Sequence, residues 1–600
     1  MRDRDVVGEL RPSQILFTYG VGATVELPQL STMVLGLDDW PKENGVLVSE
    51  PRLLAAVRRR LGGQVAELRT PPRQDEHSPT PTGVPVAPFP QWLRCPVCRL
   101  LAPLHSRLFD LVQDAYRSDR TRYEHRCTTR GRPPTAFPAR FLLACRKGHL
   151  DDFPWSEFVH GGRGCRSATL RLTEFGTGGG PVDVQVECDG CGTRKRLIDA
   201  FGQAADDHLP TRCRGRHPHL GTTSDCDQKV RTILLGASNA WFPVSLSALS
   251  IPTEEGVLAQ AVTDRWAILE QVPNAEVLKF ALDTNEQLAA LRDYSLEEVL
   301  AAIDERRSGA PGGEPVDLRL PEWEVLSTPA TTAATEDFRL RAVPAPDGFA
   351  ALIDEVVLVE RLREVIALTA FTRVEAPDEL DAAELSAPAA PLSREQPRWV
   401  PCTEVRGEGI FLRLAGAALE EWEERYVRSG RAQALWEAHK RWRIRRHLEP
   451  AAAWPGVRYV LLHSLAHALI RELALECGYG ASALRERIYS ARPDAPGMAG
   501  VLLYTAAPDS EGTLGGLVSL GEPDQLGRLL GQALNRARLC SADPLCSEHD
   551  PAGDGSVHHA ACHACQFASE TSCERGNRFL DRTALVDTFT VAGAAFFGGS

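Results

Sequence analysis

Hydrophobic and polar positions change their spacing several times along this 600-residue chain. Short apolar segments interrupted by Gly and Pro fill residues 91–245, whereas apolar residues recur at helical spacing within 254–307. A strongly apolar helix is predicted over 459–477, and a short strand over 500–504. These alternating patterns predict a mixed α/β fold with a mainly helical middle.

Other segments give weaker patterns. A short basic helix is predicted over 51–61 and should end at Gly62, and one long helix is predicted over 417–448. Residues 353–370 mix apolar and charged positions without a clear period, and the opening at 11–28 is expected to be extended. We therefore leave the structure of 353–370 unassigned at this stage.

Composition changes along the chain predict several domains, since domains usually hold about 150 residues. The predicted regions are an N-terminal extended and helical region (1–90), a cysteine-rich zinc-binding region (91–245), a mainly helical middle (246–449) and a C-terminal zinc-binding domain (450–600). Runs rich in Gly, Pro or Ala predict flexible loops near 307–315 and 377–397 within the middle region.

The charge and the termini bear on location and partners. A net charge of −13 argues against a surface that is generally suited to nucleic acid, although a local patch could still bind it. We find no apolar run near the roughly 20 residues of a membrane span, and the charged N-terminus does not resemble a signal peptide. We therefore expect a cytoplasmic protein without membrane contact, in which cysteine pairs hold metal rather than form disulfides.

Sixteen cysteines fall mostly into three neighbourhoods with metal-ligand spacing. Zinc prefers four tetrahedral thiolate or imidazole ligands, and two cysteines separated by two residues supply half of such a set. A thioredoxin-type redox motif would explain any single pair but not the further cysteines near each pair. The predicted ligands of three structural Zn²⁺ ions are Cys95, Cys98, Cys127 and Cys145; Cys188, Cys191, Cys213 and Cys226; and Cys546, Cys562, Cys565 and Cys573.

Two of these sets have competing candidates. The residues that compete to complete the first set are Cys127, Cys145, His149 and Cys165. The third set has five cysteines for four places, and either Cys540 or Cys546 completes it. We favour Cys540 as the spare cysteine because it lies farthest along the chain from the others. A spare thiol would allow a redox sensor, although no feature of the sequence indicates that Cys540 is reactive.

His463 and His467 lie one helical turn apart on one face of the apolar helix. Zinc proteases with this spacing carry a glutamate after the first histidine, but Ser464 occupies that position here. A packed core pair is therefore the favoured interpretation. The alternative function is a metal-dependent hydrolase or nuclease that uses both histidines with an acid such as Glu472 or Asp509.

The remaining motifs concern nucleotides and nucleic acid. The glycine-rich segment 511–516 lacks the lysine of a phosphate-binding loop and is expected to be a tight turn, so no ATPase is predicted in this chain. Arginines interleaved with tryptophan suit phosphate contact and base stacking, although a solvated helix face would also fit. The candidate nucleic-acid contacts are Lys440, Arg441, Arg443, Arg445 and Arg446.

Several motifs in combination resemble the DrmB family, and the resemblance covers essentially the whole chain. They are RPSQILFTYG at 11–20, RFLLACRKGHLDDFPW at 140–155, GASNAWFP at 236–243, RGEGIF at 406–411, LHSLAH at 462–467, ACHAC at 561–565 and ETSCERGNRFLD at 570–581. DrmB is the zinc-binding component of DISARM, a bacterial defence system against phages. The C-terminal region also resembles the zinc domain of MrfA-type DNA-repair helicases.

The resemblance implies a non-catalytic subunit. It implies a partner, the helicase-like ATPase DrmA, and DNA binding through the complex of the two. For the fold we expect a multidomain mixed α/β protein with zinc-ribbon-like insertions and a helical middle. Its C-terminal α/β domain is expected to hold a zinc site formed by four cysteines.

Overall fold

The fold is taken from a computed structural model of the chain. It describes residues 10–598 except for 74–82, 114–116, 128–130, 164, 166–168, 176–179, 203–204, 211, 253–257, 259–260, 263–264, 309–316, 377–388, 447, 479, 491–496, 506–515 and 570–571. Asp509, nearly all of the predicted turn at 511–516 and most of the two predicted loops lie outside the described residues.

The described part of the chain is a mixed α/β structure, as predicted. Its helices are α1 (Pro12–Phe17), α2 (Pro51–Leu61), α3 (Trp155–His160), α4 (Ala205–His208), α5 (Trp266–Leu269), α6 (Ala275–Thr284), α7 (Leu296–Ser308), α8 (Arg319–Leu326), α9 (Gly416–Arg428), α10 (Arg431–Ile444), α11 (Gly456–Cys477), α12 (Gly516–Leu520), α13 (Pro523–Ala537) and α14 (Pro551–Asp554).

The strands are short in the first half of the chain and long in the second. They are β1 (Thr24–Leu27), β2 (Leu30–Val34), β3 (Leu47–Val48), β4 (Glu67–Arg69), β5 (Val86–Pro88), β6 (Trp92–Arg94), β7 (Leu100–Pro103), β8 (Asp110–Val112), β9 (Arg122–Glu124), β10 (Thr135–Pro138), β11 (Phe141–Ala144), β12 (Leu150–Asp152), β13 (Leu170–Glu174), β14 (Val184–Cys188), β15 (Arg194–Arg196), β16 (Arg216–His217), β17 (Thr222–Thr223), β18 (Arg231–Leu234), β19 (Phe242–Leu249), β20 (Arg339–Val343), β21 (Ile353–Thr372), β22 (Trp399–Leu414), β23 (Leu484–Ser490) and β24 (Ala499–Thr505).

A large sheet joins the middle of the chain to its C-terminal part. Its strands follow the order β19, β21, β22, β24 and β23, all antiparallel, while β20 pairs with β21 and β4 joins β22 in parallel. This sheet takes strands from both sides of positions 245 and 450. The domain boundaries proposed at those positions stay predictions.

The long strand β21 occupies the segment whose pattern gave no clear period. Val356 and Leu358 pack into one hydrophobic cluster, with the helices, whereas Val357 and Val359 pack into another on the opposite face. Because both faces of this part of the strand are covered, apolar residues occur at consecutive positions and the period of two is lost.

Helix α11 lies at the centre of the largest hydrophobic cluster among the described residues. It packs against β23, β24 and α13, and nearly all of its side chains are buried. Burial on every side explains why the sequence is apolar over almost its whole length. The predicted helix at 459–477 is confirmed, as are the helix at 51–61 and the strand at 500–504.

Two predicted elements differ from the structure. The segment 417–448 forms two helices, α9 and α10, because Gly430 takes a left-handed conformation with φ 79° and ends the first. The opening at 11–28 contains helix α1 as well as strand β1. Pro12 starts that helix, where its missing N–H costs nothing.

The cysteine-rich region is made of short strands. Eight of them form a sheet in the order β15, β14, β13, β7, β6, β10, β9 and β8, and β12, β11 and β18 form a second small sheet. None of the described helices in any region is long and apolar enough to cross a membrane.

Candidate metal centres and an arginine-lined cleft

Five groups of metal-ligand side chains assemble among the described residues, and within each group the ligand atoms lie within 4.8 Å of one another. They are site 1 (Cys95, Cys98, His125, Cys127), site 2 (Cys145, His149, Cys213, Cys226), site 3 (His160, Cys165, Cys188, Cys191), site 4 (Cys540, Cys546, Cys562, Cys565) and site 5 (His463, His467, Glu486, Cys573). Three of the five contain a histidine together with three cysteines.

Sulfur separations in these sites fit a shared metal ion. The Sγ atoms of Cys540 and Cys562 are 3.5 Å apart, and those of Cys145 and Cys226 are 3.9 Å apart. A disulfide requires about 2.05 Å, whereas zinc–sulfur bonds of about 2.3 Å place the corners of a tetrahedron about 3.8 Å apart. The cysteines are therefore spaced as ligands of one ion.

The turns around the first and third sites have the same backbone geometry. The N–H of Arg99 donates to the carbonyl of Cys95, and the N–H of Gly192 donates to the carbonyl of Cys188. Both donors have positive φ, 63° for Arg99 and 70° for Gly192. This reversal brings the two cysteines of each pair to the same side of the turn.

The structure corrects the predicted grouping of the first two sets. Cys145 lies in site 2 rather than with Cys95, because strand β11 ends just before it and pairs with β18, which follows Cys226 closely. The pairing brings together cysteines that are 81 positions apart. Cys213 joins them, and its Sγ accepts the N–H of Gly215 at 3.3 Å.

Site 3 takes its other two ligands from the preceding segment instead. Helix α3 ends at His160, and β13 pairs with β14 so that Leu170 lies opposite Cys188. Cys165 lies between these elements, with its Sγ 3.9 Å from that of Cys188. His160 Nδ1 donates to the carbonyl of Ser156 at 2.7 Å, and its Nε2 is buried without another hydrogen-bond partner.

The third predicted set is corrected as well. Cys540 is not spare, since α13 ends at Ala537 and brings it to the turn that carries Cys562 and Cys565. Cys573 leaves this set because the carbonyl of Ser572 accepts the N–H of Glu486 and holds the loop against β23. Because Cys540 belongs to site 4, no spare thiol remains in this set for a redox sensor. Burial also raises the pKa of Cys540, which disfavours the reactive thiolate.

Site 5 combines different donor types in the protein interior. His463 Nε2 lies 3.0 Å from Glu486 Oε1 and 3.2 Å from Cys573 Sγ, and His467 Nε2 lies 3.4 Å from Glu486 Oε2. The histidine and glutamate side chains are fully buried. The predicted histidine pair is thus packed in the core, but it also faces a carboxylate and a thiol.

The charges in site 5 shift the protonation of all four groups. Burial lowers the pKa of His463, but Glu486 and Cys573 together more than offset this effect, and the pKa rises to about 9. Burial likewise opposes the charged form of Cys573, yet the histidines lower its pKa to about 7. With no metal, two imidazolium groups balance a carboxylate and a thiolate. A divalent cation in place of two protons leaves the net charge of the site unchanged.

Of the acids considered for a hydrolase, Glu472 does not complete the histidine pair. Glu472 is buried and pairs with Arg536 at 2.9 Å. Asp509 lies outside the described residues. Glu486 was missed because it lies on a strand with no metal motif around it. His125 carried a usable signal, since it precedes Cys127 by two residues.

The candidate nucleic-acid residues lie in different environments. Arg443 is buried and its Nε donates to the carbonyl of Glu449, which corrects its assignment as a phosphate contact. Lys440 pairs with Glu437 at 2.8 Å, and Arg445 donates to the carbonyl of Gly555 at 2.6 Å. Arg441 is exposed, and Arg446 lines a cleft.

This cleft has a volume of about 1570 Å³ and lies between β19, β23, the end of α10 and the loop 572–578. Its lining carries more basic than acidic side chains, although the whole chain is acidic. The arginines are Arg59, Arg60, Arg319, Arg446, Arg485, Arg487, Arg575 and Arg578, and the acids are Glu26, Asp317, Glu364, Glu375, Glu486 and Glu574.

Aromatic rings lie beside these arginines. The guanidinium groups of Arg446 and Arg578 lie 4.0 Å and 4.2 Å, respectively, from the ring centroid of Trp442. Arg485 lies 5.1 Å from the ring centroid of Phe17. Trp442 is buried, with both guanidinium groups against its ring, so the polar surface at this end of the cleft comes from the arginines.

Comparisons with known proteins agree with the motifs. Family models match at 11–242, a domain of unknown function (DUF8724), and at 465–566, the MrfA Zn-binding domain, which contains all of site 4. The curated "DISARM protein DrmB" of Bacillus paralicheniformis is 30% identical over 590 residues, 95% of this chain and 99% of that protein.

Among solved structures, the crystal structure of the DUF1998 helicase MrfA bound to DNA matches 41% of this chain. The match covers 25% of that helicase, at 9% identity and a TM-score of 0.18, which is too low to establish a shared fold. The relative aligned over nearly the full length decides the family. This chain belongs to the DrmB family of DISARM proteins.

Proposed function

We propose that this chain is a non-catalytic, zinc-binding subunit that joins the helicase-like ATPase DrmA and helps it bind DNA. The observation that carries the DNA part is the cleft lined by arginines and aromatic rings. In a chain with a net charge of −13, the excess of arginines over acids in the cleft, eight against six, favours a phosphate backbone there over the acidic remainder of the surface.

The donor sets support the non-catalytic part. Sites 1 to 4 each offer four cysteine or histidine ligands, which closes a tetrahedral ion and leaves no position for a substrate. Metal-assisted hydrolysis needs an open position. We therefore propose that each of sites 1 to 4 binds one structural metal ion.

The experiment compares DNA binding of the DrmA complex with cleft and control variants. Arg59 is exposed at the end of α2, and Arg446 lies just after α10; both line the cleft. We expect Arg59→Ala and Arg446→Ala each to lower the slope of log affinity against log salt on single strands by about 0.7. Arg428→Ala, exposed, outside the cleft and not among the candidate nucleic-acid contacts, is the matched control.

The complex itself supplies the second measurement. We expect the chain to co-purify with DrmA, to hydrolyse no ATP alone and to bind DNA more tightly in the complex. Equal salt slopes for the cleft variants, the control and the unchanged chain would remove the cleft from the proposal. ATP hydrolysis or DNA cleavage by the isolated chain would remove the non-catalytic role.

A further inference from the structure

We propose that His463, His467, Glu486 and Cys573 bind a fifth structural metal ion, of the Zn²⁺ class, that fastens the loop 572–578 to helix α11 and strand β23. The competing explanation is a buried hydrogen-bonded cluster that holds only protons. The two explanations differ in what they require of the individual donor atoms.

His467 is oriented as a metal ligand. Its Nδ1 donates to the carbonyl of Gln566 at 2.7 Å, which orients the ring so that Nε2 faces Glu486. That Nε2 and Glu486 Oε2 are 3.4 Å apart, and neither has a hydrogen-bond partner although both are buried. A proton on Nε2 would therefore be left without a hydrogen bond to the carboxylate, whereas a metal ion between the two atoms satisfies both. Metal-bound histidines are commonly held through the other ring nitrogen in this way.

Cys573 has the surroundings of a bound thiolate. Its Sγ accepts the backbone N–H groups of Arg575 at 3.4 Å and of Asn577 at 3.2 Å. Cys213 in site 2 accepts the N–H of Gly215 in the same way, two residues further along the chain. The loop after Cys573 therefore turns its N–H groups toward sulfur, as the loop at another metal-ligand cysteine does.

The donor set suits a divalent ion of intermediate softness. Two imidazole nitrogens, one thiolate and one carboxylate supply four ligands and two negative charges, and zinc accepts all three donor types. Glu486 Oε1 also accepts the N–H of Glu574 at 3.1 Å, so the carboxylate is held from the loop as well. Four filled positions make this ion structural rather than hydrolytic.

The position of the site gives the ion a consequence for the cleft. Glu486 and Cys573 lie at its wall, and the loop beyond them carries Arg575 and Arg578 into it. Gln566, the partner of His467, follows the site 4 ligand Cys565 directly, so sites 4 and 5 share one backbone connection. The metal would hold the loop 572–578 in place and connect it to the site 4 turn that carries Cys562 and Cys565.

The decisive measurement uses the unchanged full-length chain. Anomalous scattering is recorded from its crystals on both sides of the zinc absorption edge. We expect a peak between the four donor atoms, about 2.0–2.3 Å from each nitrogen, oxygen and sulfur. Peaks at sites 1 to 4 with none at site 5 would overturn the proposal, whether or not the chain binds DNA.

Metal content of a variant gives an independent result. We expect Cys573→Ala to lose one metal ion per chain relative to the unchanged protein. Cys477→Ala is the matched control, because Cys477 ends helix α11 and belongs to none of the five sites. An unchanged metal content in folded Cys573→Ala would support the proton-only cluster. If that variant does not fold, the anomalous measurement decides alone.

Discussion

The cysteine-rich region and the C-terminal half of the chain are stabilised in different ways. The first places sites 1 to 3 among strands of two to five residues, and its hydrophobic residues are divided among small clusters. The second is organised around α11 and the long strands β21 and β22, which share one large cluster. Site 5 is buried beside α11, and site 4 follows α13.

The difference shows two uses for the same ligand chemistry. In the cysteine-rich region a bound ion would replace a core that the short strands cannot build, so its binding energy is folding energy. In the C-terminal half the core exists already, and an ion in site 5 would instead fix the loop that carries the proposed cleft residues Arg575 and Arg578. The following changes test whether the two halves depend on metal to a different extent.

Removal of metal with a strong chelator should have the largest effect. Structural zinc in small domains contributes about 10–16 kcal/mol of apparent binding free energy, comparable to the whole stability of a domain. We expect amide protons of β13 and β14 to exchange rapidly after removal, while those of α11 stay protected. Hydrogen exchange followed by mass spectrometry measures both segments in one sample.

Restoring zinc is the control for that experiment, since it should return the protection of β13 and β14. Simultaneous loss of protection in α11 and in the two strands would contradict the comparison. It would show that the large core also depends on metal for its stability.

A truncation inside the large core should have a smaller effect. Leu465 is fully buried on α11, whereas Leu475 on the same helix is 64% exposed. We expect Leu465→Ala to lower the unfolding free energy by about 2–5 kcal/mol because it leaves a cavity. Leu475→Ala should change it by about 0.5 kcal/mol or less. The unfolding free energies of the two variants are compared by denaturant titration, with hydrogen-exchange protection of α11 as the signal. Equal losses of unfolding free energy would contradict the packing of Leu465 in the core.

Sequence patterns predicted helix α2, which has one buried face, and helix α11, which is buried on every side but whose apolar run is too long for a strand. Helix α2 and helix α11 were predictable, because their ends carry Gly62 and Gly478 and their apolar positions follow the helix. Strand β21 was not, since its two faces meet different clusters. Periodicity reports one buried face, and it fails when both are covered.

The cysteine pairs were recognisable, but their grouping was not. Spacing along the chain indicates which residues can form a turn, whereas the closure of a site depends on strand pairing. Cys145 meets Cys226 only because β11 pairs with β18, and Glu486 meets Cys573 only because the loop docks on β23. These contacts join distant positions, so no local pattern records them.

The smallest expected effect compares the two turns that have the same geometry. Arg99 and Gly192 occupy equivalent left-handed positions, and a side chain there costs about 1 kcal/mol relative to glycine. The Arg99 side chain is exposed, and a Cβ built on Gly192 meets no neighbouring atom, so the backbone conformation alone should decide the result. We expect Arg99→Gly to slow amide exchange in its turn by about fivefold, and Gly192→Ala to speed exchange in its own turn by a similar factor. Changes of the same sign in both turns would mean that ligand packing, rather than backbone strain, limits these sites.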